Sequence, residues 1–178
     1  GTRMKSELPK VLHEVCGRPM VSHVISQAKK AGAETIIAVI GHGAEQVKEG
    51  LKEEEILFAL QEKQLGTGHA VMQAADRIPD EGDVFVLCGD TPLITSETLA
   101  EFAAYHSGSN NAVTVLTAIF DNPFGYGRII RGEDGNLQKI VEQKDADETE
   151  KAVKEVNAGM YCFNGAFLRE NLPKLSNQ

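Results

Sequence analysis

The chain has 178 residues, of which 42% are hydrophobic and 25% charged, and its formal net charge is −8 at pH 7. This composition is typical of a globular protein with a sizeable core, and the acidic balance argues against a general nucleic-acid or membrane surface. Cys16, Cys88 and Cys162 are scattered without metal-ligand spacing, which fits a reducing compartment. No apolar run is long enough to span a bilayer. We therefore expect a cytoplasmic protein.

The first eighteen residues are polar, basic and irregular, and they carry the first candidate binding site. A glycine loop at Gly1 and Thr2 offers backbone N–H groups to phosphate oxygens. Arg3 can bind a phosphate through two nitrogens, and Lys10 can add a point charge. The spacing is not that of a P-loop, and a solvated basic loop is the alternative. Because the sequence begins at Gly1 with no Met and no first strand, we expect it to be a fragment.

Strands and helices alternate in the sequence up to residue 110. Spacing of apolar residues and turn residues predicts the following elements: helix 20–31, strand 35–40, helix 44–52, strand 56–60, helix 69–78, strand 84–87 and a helix from the N-cap Thr95 to about His106. This order is typical of an α/β protein with a mostly parallel sheet and crossover helices.

The pattern changes after residue 110. Residues 112–120 and 156–163 are apolar and β-branched, which predicts two further strands. Segments 129–131 and 137–143 flank a Gly- and Asp-rich turn, which predicts a β-hairpin. A charged surface loop with a short helix is expected at 144–154, and a final helix from residue 166 to 172.

A candidate metal ligand follows the strand at 84–87. This strand is apolar on both faces, and the chain breaks at Gly89 to deliver the carboxylate of Asp90. In open α/β sheets, ligands bind outside the carboxyl ends of the strands. Mg²⁺ takes one or two carboxylates together with substrate phosphates. Asp90 is therefore a candidate ligand for Mg²⁺, unless it only caps the turn or the helix near Thr95.

The stretch from Gln61 to Gly68 is a second candidate binding site. A glutamine amide offers an acceptor and two donors, so Gln61 or Gln64 can pair with the imide edge of uracil. Gly66, followed by Thr67, lets the backbone approach a ligand closely. A polar turn between a strand and a helix would explain the same residues.

The third candidate set is polar and lies in the second half of the chain. Glycine-rich residues 125–128 together with Glu142 and Asn157 could bind sugar hydroxyls and an acetamido group, although a solvated sheet face explains them equally. The five histidines show no ligand or triad spacing, so we expect them at the edge of the core or on the surface. They are His13, His23, His42, His69 and His106.

Taken together, these stretches resemble the sugar-phosphate nucleotidyltransferases. Residues 1–12, G-T-R-M-K-S-E-L-P-K-V-L, resemble the second half of that family's L-A-A-G-x-G-T-R-M signature, and the first half is absent. Within the family, the chain resembles the N-acetylglucosamine-1-phosphate uridylyltransferases over essentially its whole length, most specifically in Q-x-x-Q-L-G-T-G-H-A. Further matching stretches are 88–94, 125–130, 141–145 and 155–159.

The resemblance implies a Rossmann-like nucleotidyltransferase fold over residues 1–178, with a nucleotide-binding half at 1–110 and a sugar-binding half at 111–178. It implies that UTP and N-acetylglucosamine-1-phosphate give UDP-N-acetylglucosamine and pyrophosphate with Mg²⁺, for cell-envelope precursors. Arg3 and Lys10 would neutralise the triphosphate, and Asp90 would hold Mg²⁺. The implied nucleotide-binding residues are Gly1, Thr2, Arg3, Lys10, Gln61, Gln64, Gly66 and Thr67. The implied sugar-binding residues are Gly127, Glu142 and Asn157.

Three positions depart from the family pattern. Cys88 stands where some relatives have Tyr, Gln143 replaces the His of E-H-K-D, and Ala158 replaces the Thr of N-T-G. Members of the family also have a further Mg²⁺-ligating Asn and a left-handed β-helix acetyltransferase half beyond the last residue of this chain. The resemblance therefore implies that the full-length protein is a homotrimer held together by that absent domain.

Two other functions stay open at this point. A related nucleotidyltransferase could use another base or sugar, although Gln61 with Gly66 favours the imide edge of uracil or thymine over cytosine. A non-catalytic pyrophosphorylase-like domain could serve regulation or assembly, but it would be expected to lack Arg3, Lys10 or Asp90, and all three are present.

Overall fold

A computed structural model of the chain describes residues 6–175. Gly1, Thr2 and Arg3, which belong to the predicted nucleotide site, lie outside the described residues. The strands are β1 Glu14–Val15, β2 Arg18–Pro19, β3 Ile37–Ile40, β4 Leu57–Leu60, β5 Asp83–Val86, β6 Val113–Ile119, β7 Arg128–Arg131, β8 Leu137–Val141 and β9 Glu155–Asn164. The helices are α1 Met20–Lys30, α2 Ala44–Gly50, α3 Thr67–Met72, α4 Ser96–Ser109, α5 Glu148–Lys151 and α6 Gly165–Asn171.

The predicted α/β class is confirmed, but strand pairing differs from the mostly parallel sheet that the element order predicted. Among residues 6–175 only β3 and β4 pair in parallel, and helix α2 connects them in sequence. Strands β5 and β6 both run antiparallel to β9, which lies between them. The two therefore point the same way without pairing with each other. The order of elements could not show that the last strand is inserted there.

The long strand β9 is the centre of a five-stranded sheet. One edge pairs with β6 along seven residues. The other edge pairs with β5 through its second half and with β7 at Val156. The register with β6 shifts so that Leu116 faces Met160 while Thr117 faces Asn157. Ala158 and Gly159 thus form a bulge in the middle of β9, and bulges re-aim the chain at such points.

A cluster of apolar side chains positions the start of the chain. Pro9 begins a 3-10 turn at Lys10–Leu12, and Leu12 is buried against helices and strand of the first half. Its partners in this cluster are Ile25, Ile40, Val47 and Leu51. The turn is therefore held against α1, α2 and β3, and Lys10 points out from a fixed backbone.

Helix α4 begins as predicted, whereas α3 does not match its predicted range. The side chain of Thr95 accepts a hydrogen bond from the N–H of Thr98 at 3.2 Å, which makes it the N-cap of α4. Helix α3 begins two residues earlier than predicted and ends at Met72, and a separate 3-10 turn follows at Ala75–Arg77. None of the helices in residues 6–175 combines the length and apolar character needed to cross a membrane.

The predicted hairpin is confirmed as β7 and β8, and an ion pair fastens it to β9. Arg131 on β7 donates two hydrogen bonds to the Glu155 carboxylate, at 2.8 and 2.6 Å. These bonds hold the pKa of Glu155 below its ordinary value of 4.5. Because the Glu155 side chain is only 17% exposed, solvent screens this pair less than a fully exposed one.

Removing this pair should change stability in a pH-dependent way. A carboxylate whose pKa is lowered by folding contributes stability above its unfolded pKa, and that contribution is lost as pH falls through the folded value. We expect Arg131→Gln to lower the free energy of unfolding by about 1 kcal/mol at pH 7. The difference from the parent should shrink below pH 4.5, measured by urea unfolding. Lys154→Gln, which removes an exposed pair with Asp121, is the control and should show little effect at either pH.

Two helical glycines provide a test of packing. A Cβ at Gly165 would lie 2.7 Å from the Pro79 carbonyl oxygen and 3.0 Å from that of Gly82, whereas a Cβ at Gly108 meets nothing within 4 Å. We expect Gly165→Ala to destabilise the protein by about 1–3 kcal/mol, and Gly108→Ala to stabilise it by about 0.5 kcal/mol. Urea unfolding of both variants measures the difference. Equal effects of the two substitutions would contradict the packing described here.

Candidate active site

An ion pair joins two of the predicted site residues. The Lys10 ammonium donates to a carboxylate oxygen of Asp90 with an Nζ–Oδ2 distance of 2.6 Å. The two side chains are 44% and 36% exposed, so both remain accessible to a ligand. The residues are eighty positions apart in sequence. The fold thus brings together the cation predicted to bind phosphate and the carboxylate predicted to bind a metal ion.

The approach of these residues depends on Gly89. A Cβ there would lie 3.3 Å from Val11 and 3.4 Å from Val21, so the loop after β5 packs closely on the 3-10 turn and on α1. The hydroxyl of Thr91 donates to the carbonyl of Cys88 at 2.7 Å, which closes the turn around Asp90. Of the two capping roles considered for Asp90, capping of the helix is excluded because Thr95 caps α4.

Cys88 connects this turn to the bulge of β9. Its thiol donates to the Gly159 carbonyl at 3.3 Å, and the Gly159 N–H donates to the Asn157 side chain at 2.9 Å. Gly159 has φ +74°, a left-handed conformation that glycine adopts without strain. Burial raises the pKa of the Cys88 thiol, the Asp90 charge adds to this, and Lys10 opposes it. A protonated thiol is the form that donates the observed hydrogen bond.

The three predicted sugar-binding residues lie together. The Asn157 N–H donates to the Gly127 carbonyl at 2.9 Å. A Cβ at Gly127 would lie 3.1 Å from a carboxylate oxygen of Glu142, so this glycine allows the exposed carboxylate to approach the backbone. The amide of Asn157 also donates to the Tyr161 hydroxyl at 2.7 Å. Contacts therefore continue from Asp90 through Cys88 and the bulge to this cluster.

A buried guanidinium supports the loop that contains Gly127. Arg128 is only 2% exposed, and its Nη2 donates to the Gln143 side chain at 2.7 Å. The same Gln143 oxygen accepts from the Gly125 N–H at 3.1 Å. Arg128 also donates to the carbonyls of Tyr126 and Lys151. Gln143, a departure from the family pattern, thus holds both ends of the loop with one oxygen.

The predicted uracil-binding residues form a separate group after β4. The Gln61 amide donates to the Gly66 carbonyl at 3.2 Å and lies 3.0 Å from His69 Nδ1. Gln64 packs beside Gly41, where a Cβ would lie 3.3 Å from its amide nitrogen. Gly66 has φ +99°, which turns the chain into α3 at Thr67. Gln64, Gly66 and Thr67 are exposed, and a ligand can reach them.

Two cavities border this group. One of about 400 Å³ lies between Thr67 and the strands β5 and β9, and its lining is largely apolar. A smaller one of about 260 Å³ is lined by Leu60, Glu62, Lys63, His69 and Gln73. Neither lining includes Lys10 or Asp90. Within residues 6–175 no hydrogen bond or ion pair joins the Gln61 group directly to the Lys10–Asp90 pair.

Asp90 fits a hard divalent cation. Its carboxylate is a hard oxygen donor, half-exposed beside the positive charge of Lys10 and not enclosed by other side chains. Mg²⁺ commonly takes one or two carboxylates and leaves the rest of its coordination to water and substrate phosphates. A single carboxylate at the end of a strand therefore matches the requirement of a metal that is shared with a phosphorylated substrate.

The sequence analysis named Arg128 only within the candidate stretch 125–128 and Gln143 only as a departure from the family pattern. It did not identify these two, or Tyr161, as supporting residues. The first two had no signal beyond polarity, because their importance lies in burial and in hydrogen bonds between distant segments. Tyr161 lies in the middle of an apolar strand and could be expected to belong only to the core. The short sequence separation between Asn157 and Tyr161 could be read from the sequence. The bulge in β9, which lets their side chains form a hydrogen bond, could not.

The chain matches known proteins along most of its length. A family model described as MobA-like NTP transferase domain matches residues 1–152. The chain belongs to this family. This MobA-like NTP transferase is 57% identical over 178 residues to the bifunctional protein GlmU of Alkaliphilus oremlandii. The match covers 100% of this chain and 39% of that protein. It is 56% identical to the GlmU of Geobacillus thermodenitrificans, with 99% of this chain and 39% of that protein covered.

The chain therefore spans about two fifths of the length of these curated relatives. Solved structures confirm the nucleotidyltransferase fold. A putative glucose-1-phosphate thymidylyltransferase from Bacillus anthracis has a TM-score of 0.79 at 19% identity, over 97% of this chain and 69% of that chain. HddC from Yersinia pseudotuberculosis has a TM-score of 0.73 at 17% identity, over 97% and 73%.

Removal of the Gln143 side chain tests its role in the loop. Gln143→Ala leaves the Gly125 N–H without its acceptor and removes the shorter of the two hydrogen bonds from the buried Arg128 Nη2, so we expect a loss of about 1–3 kcal/mol in unfolding free energy. Gln138→Ala is the matched control, because Gln138 is exposed on β8 and makes no side-chain hydrogen bond among the described residues. Urea unfolding measures both. Similar losses in the two variants would show that Gln143 does not hold the loop.

Proposed function

We propose that the chain is the uridylyltransferase part of a longer enzyme, which makes UDP-N-acetylglucosamine and pyrophosphate from UTP and N-acetylglucosamine-1-phosphate. The observation that carries the proposal is the continuous set of contacts from Lys10 and Asp90 through Cys88 and Gly159 to Asn157. These contacts connect the Lys10 ammonium and the Asp90 carboxylate, the proposed phosphate and metal ligands, to a polar cluster. High identity to GlmU proteins over the whole chain supports the same function.

The reaction needs positioning and charge neutralisation more than a protein nucleophile. An oxygen of the sugar phosphate attacks the α-phosphorus of UTP in line, the bond from that phosphorus to the β-phosphate oxygen breaks, and pyrophosphate leaves. Because the attacking phosphate is already an anion, no residue has to remove a proton. Lys10 neutralises the triphosphate, and Arg3 is proposed to do the same. A Mg²⁺ ion held by Asp90 would supply further positive charge.

Each substrate is assigned to one group of residues. The proposed uracil contacts are the amide of Gln61 and the backbone at Gly66, with Gln64 and Thr67 nearby. Gln61 can offer both a donor and an acceptor, which suits the imide edge. The sugar is assigned to Gly127, Glu142 and Asn157, where an exposed carboxylate and an amide can bind hydroxyl and acetamido groups.

The proposal includes a division of the chain and a setting for the reaction. Residues 1–110 form the nucleotide-binding half, with Gly1 and Thr2 at the phosphates, and residues 111–178 form the sugar-binding half. We place the enzyme in the cytoplasm, where nucleoside triphosphates are available, with its product used for the bacterial cell envelope. A homotrimer would be formed by segments outside this chain.

Pyrophosphate release tests the proposal. In the assay protein, this chain is joined to the flanking segments of the Alkaliphilus oremlandii relative, and UTP, N-acetylglucosamine-1-phosphate and Mg²⁺ are supplied. We expect turnover that falls by about a hundredfold or more in Asp90→Asn, because one stabilising charge at a developing transition state contributes on that scale. Asp76→Asn, an exposed acid on the 3-10 turn at Ala75–Arg77, is the matched control and should retain activity.

Other outcomes separate the competing functions. Turnover with dTTP or CTP but not with UTP would replace the proposed reaction with that of a related nucleotidyltransferase. A folded protein that releases no pyrophosphate from any nucleoside triphosphate would favour the non-catalytic pyrophosphorylase-like domain. Equal rates in Asp90→Asn and the parent would remove the metal role from Asp90 while leaving the reaction class intact.

A further inference from the structure

Three potential metal ligands meet at the end of β5 that is opposite to Asp90. They are the carboxylate of Asp83, the imidazole of His106 and the thiol of Cys162, and one ligand atom of each lies within 4.8 Å of the others. In the sequence these residues are far apart and show no ligand spacing. The proposed uridylyltransferase reaction uses none of them.

The fold brings the three residues together from three elements. Asp83 is the first residue of β5, His106 is in the last turn of α4, and Cys162 is near the end of β9. In the sheet, Cys162 is directly opposite Phe85 on one side and Thr114 on the other. The packing of α4 over this part of the sheet then places the imidazole beside the thiol.

Hydrogen bonds from neighbouring residues orient two of the three side chains. His106 Nδ1 lies 2.7 Å from the Thr114 hydroxyl, which leaves Nε2 facing Asp83 at 3.5 Å. The Ser107 hydroxyl donates to the second oxygen of Asp83 at 2.8 Å. Bonds of this kind fix the tautomer of a histidine ligand and the direction of a carboxylate ligand in metal sites.

Burial of the cluster leaves one route to solvent. Cys162 is 0% exposed and His106 is 2% exposed, whereas the Asp83 side chain is 30% exposed. A soft thiolate and an imidazole, together with one carboxylate, form the donor set typical of Zn²⁺, and three protein ligands leave a fourth position for water. The exposed side of Asp83 is where an ion would enter and where that water would lie.

We propose that Asp83, His106 and Cys162 form a binding site for a single Zn²⁺ ion, separate from the Mg²⁺ site at Asp90. The bonds are formed by the Cys162 thiolate, His106 Nε2 and one oxygen of Asp83. The thiol gives up its proton to solvent when the metal binds. The His106 Nδ1–H then donates to Thr114. Because the ion joins β5, α4 and β9, it stabilises the folded protein without touching the residues assigned to the substrates.

Cobalt substitution provides a direct spectroscopic test. Purified protein, stripped of metal and kept reduced, is titrated with Co²⁺ in the presence of excess Mg²⁺, which does not compete for a thiolate site. We expect a thiolate-to-cobalt charge-transfer absorption that saturates at one ion per chain, a spectrum typical of tetrahedral coordination, and displacement of Co²⁺ by Zn²⁺. Thermal unfolding should shift upward on addition of Zn²⁺.

Variants assign the signal to the three residues. Cys162→Ser should abolish the charge-transfer band, and Asp83→Asn should weaken Co²⁺ binding with little change to packing. Thr114→Val removes the bond to His106 together with a longer one, 3.3 Å, that the hydroxyl accepts from the Asn111 amide. We expect a loss of about ten- to a hundredfold in metal affinity, and Asn111→Ala, which removes the longer bond alone, should keep the affinity of the parent. The double variant Cys16→Ser with Cys88→Ser keeps Cys162 as its sole thiol and should retain the band.

Several results would overturn the proposal. A parent protein that is folded by circular dichroism and shows no charge-transfer band with Co²⁺ lacks the site. A band that persists in Cys162→Ser but disappears in the Cys16 and Cys88 double variant belongs to another thiol. Loss of pyrophosphate release with an intact cobalt spectrum would count against the proposed reaction alone, so the two proposals fail separately.

Discussion

Backbone pairing along β9 is the constraint on which the candidate active site depends. This strand is hydrogen-bonded to β6 on one edge and to β5 and β7 on the other, so it fixes where those three strands end. The turn with Asp90 follows β5, and the loop with Gly127 precedes β7. At the bulge of β9, the Gly159 carbonyl accepts from the Cys88 thiol of the first turn, and the Gly159 N–H donates to Asn157, whose own N–H donates to Gly127 of the second loop.

Much of the secondary structure was predictable from local pattern. The strands around Val84 and Val113, the hairpin after Arg128 and the cap at Thr95 all have signals within a few residues, and all were confirmed within one to four residues at each end. Pairing was less predictable, because no local signal shows that β9 lies between β5 and β6. The length of α3 also differed, since the chain turns at Gln73, whose amide donates to the His69 carbonyl and ends the helix.

The residues of the candidate site were likewise predictable only in part. Lys10 and Asp90 were identified as candidates from local features, a basic loop and a carboxylate after a buried strand, and the structure pairs their side chains. The supporting role of Arg128 and Gln143 was missed, since a buried guanidinium is recognised by its surroundings and not by its sequence neighbours. The same applies to the cluster of Asp83, His106 and Cys162. Its members are spread over eighty residues, and only the stacking of α4 on the sheet makes them neighbours.

The surroundings of Arg128 have an electrostatic consequence for the loop that contains Gly127. Within residues 6–175 its hydrogen-bond acceptors are the oxygens of Tyr126, Gln143 and Lys151, all of them neutral. Its charge is therefore not cancelled by direct contact with a carboxylate. At low dielectric the charge acts over a longer range than it would in water. A buried positive charge therefore lies beneath the Gly127 loop in a chain whose formal net charge is −8, and it is screened by solvent less than the surface charges are.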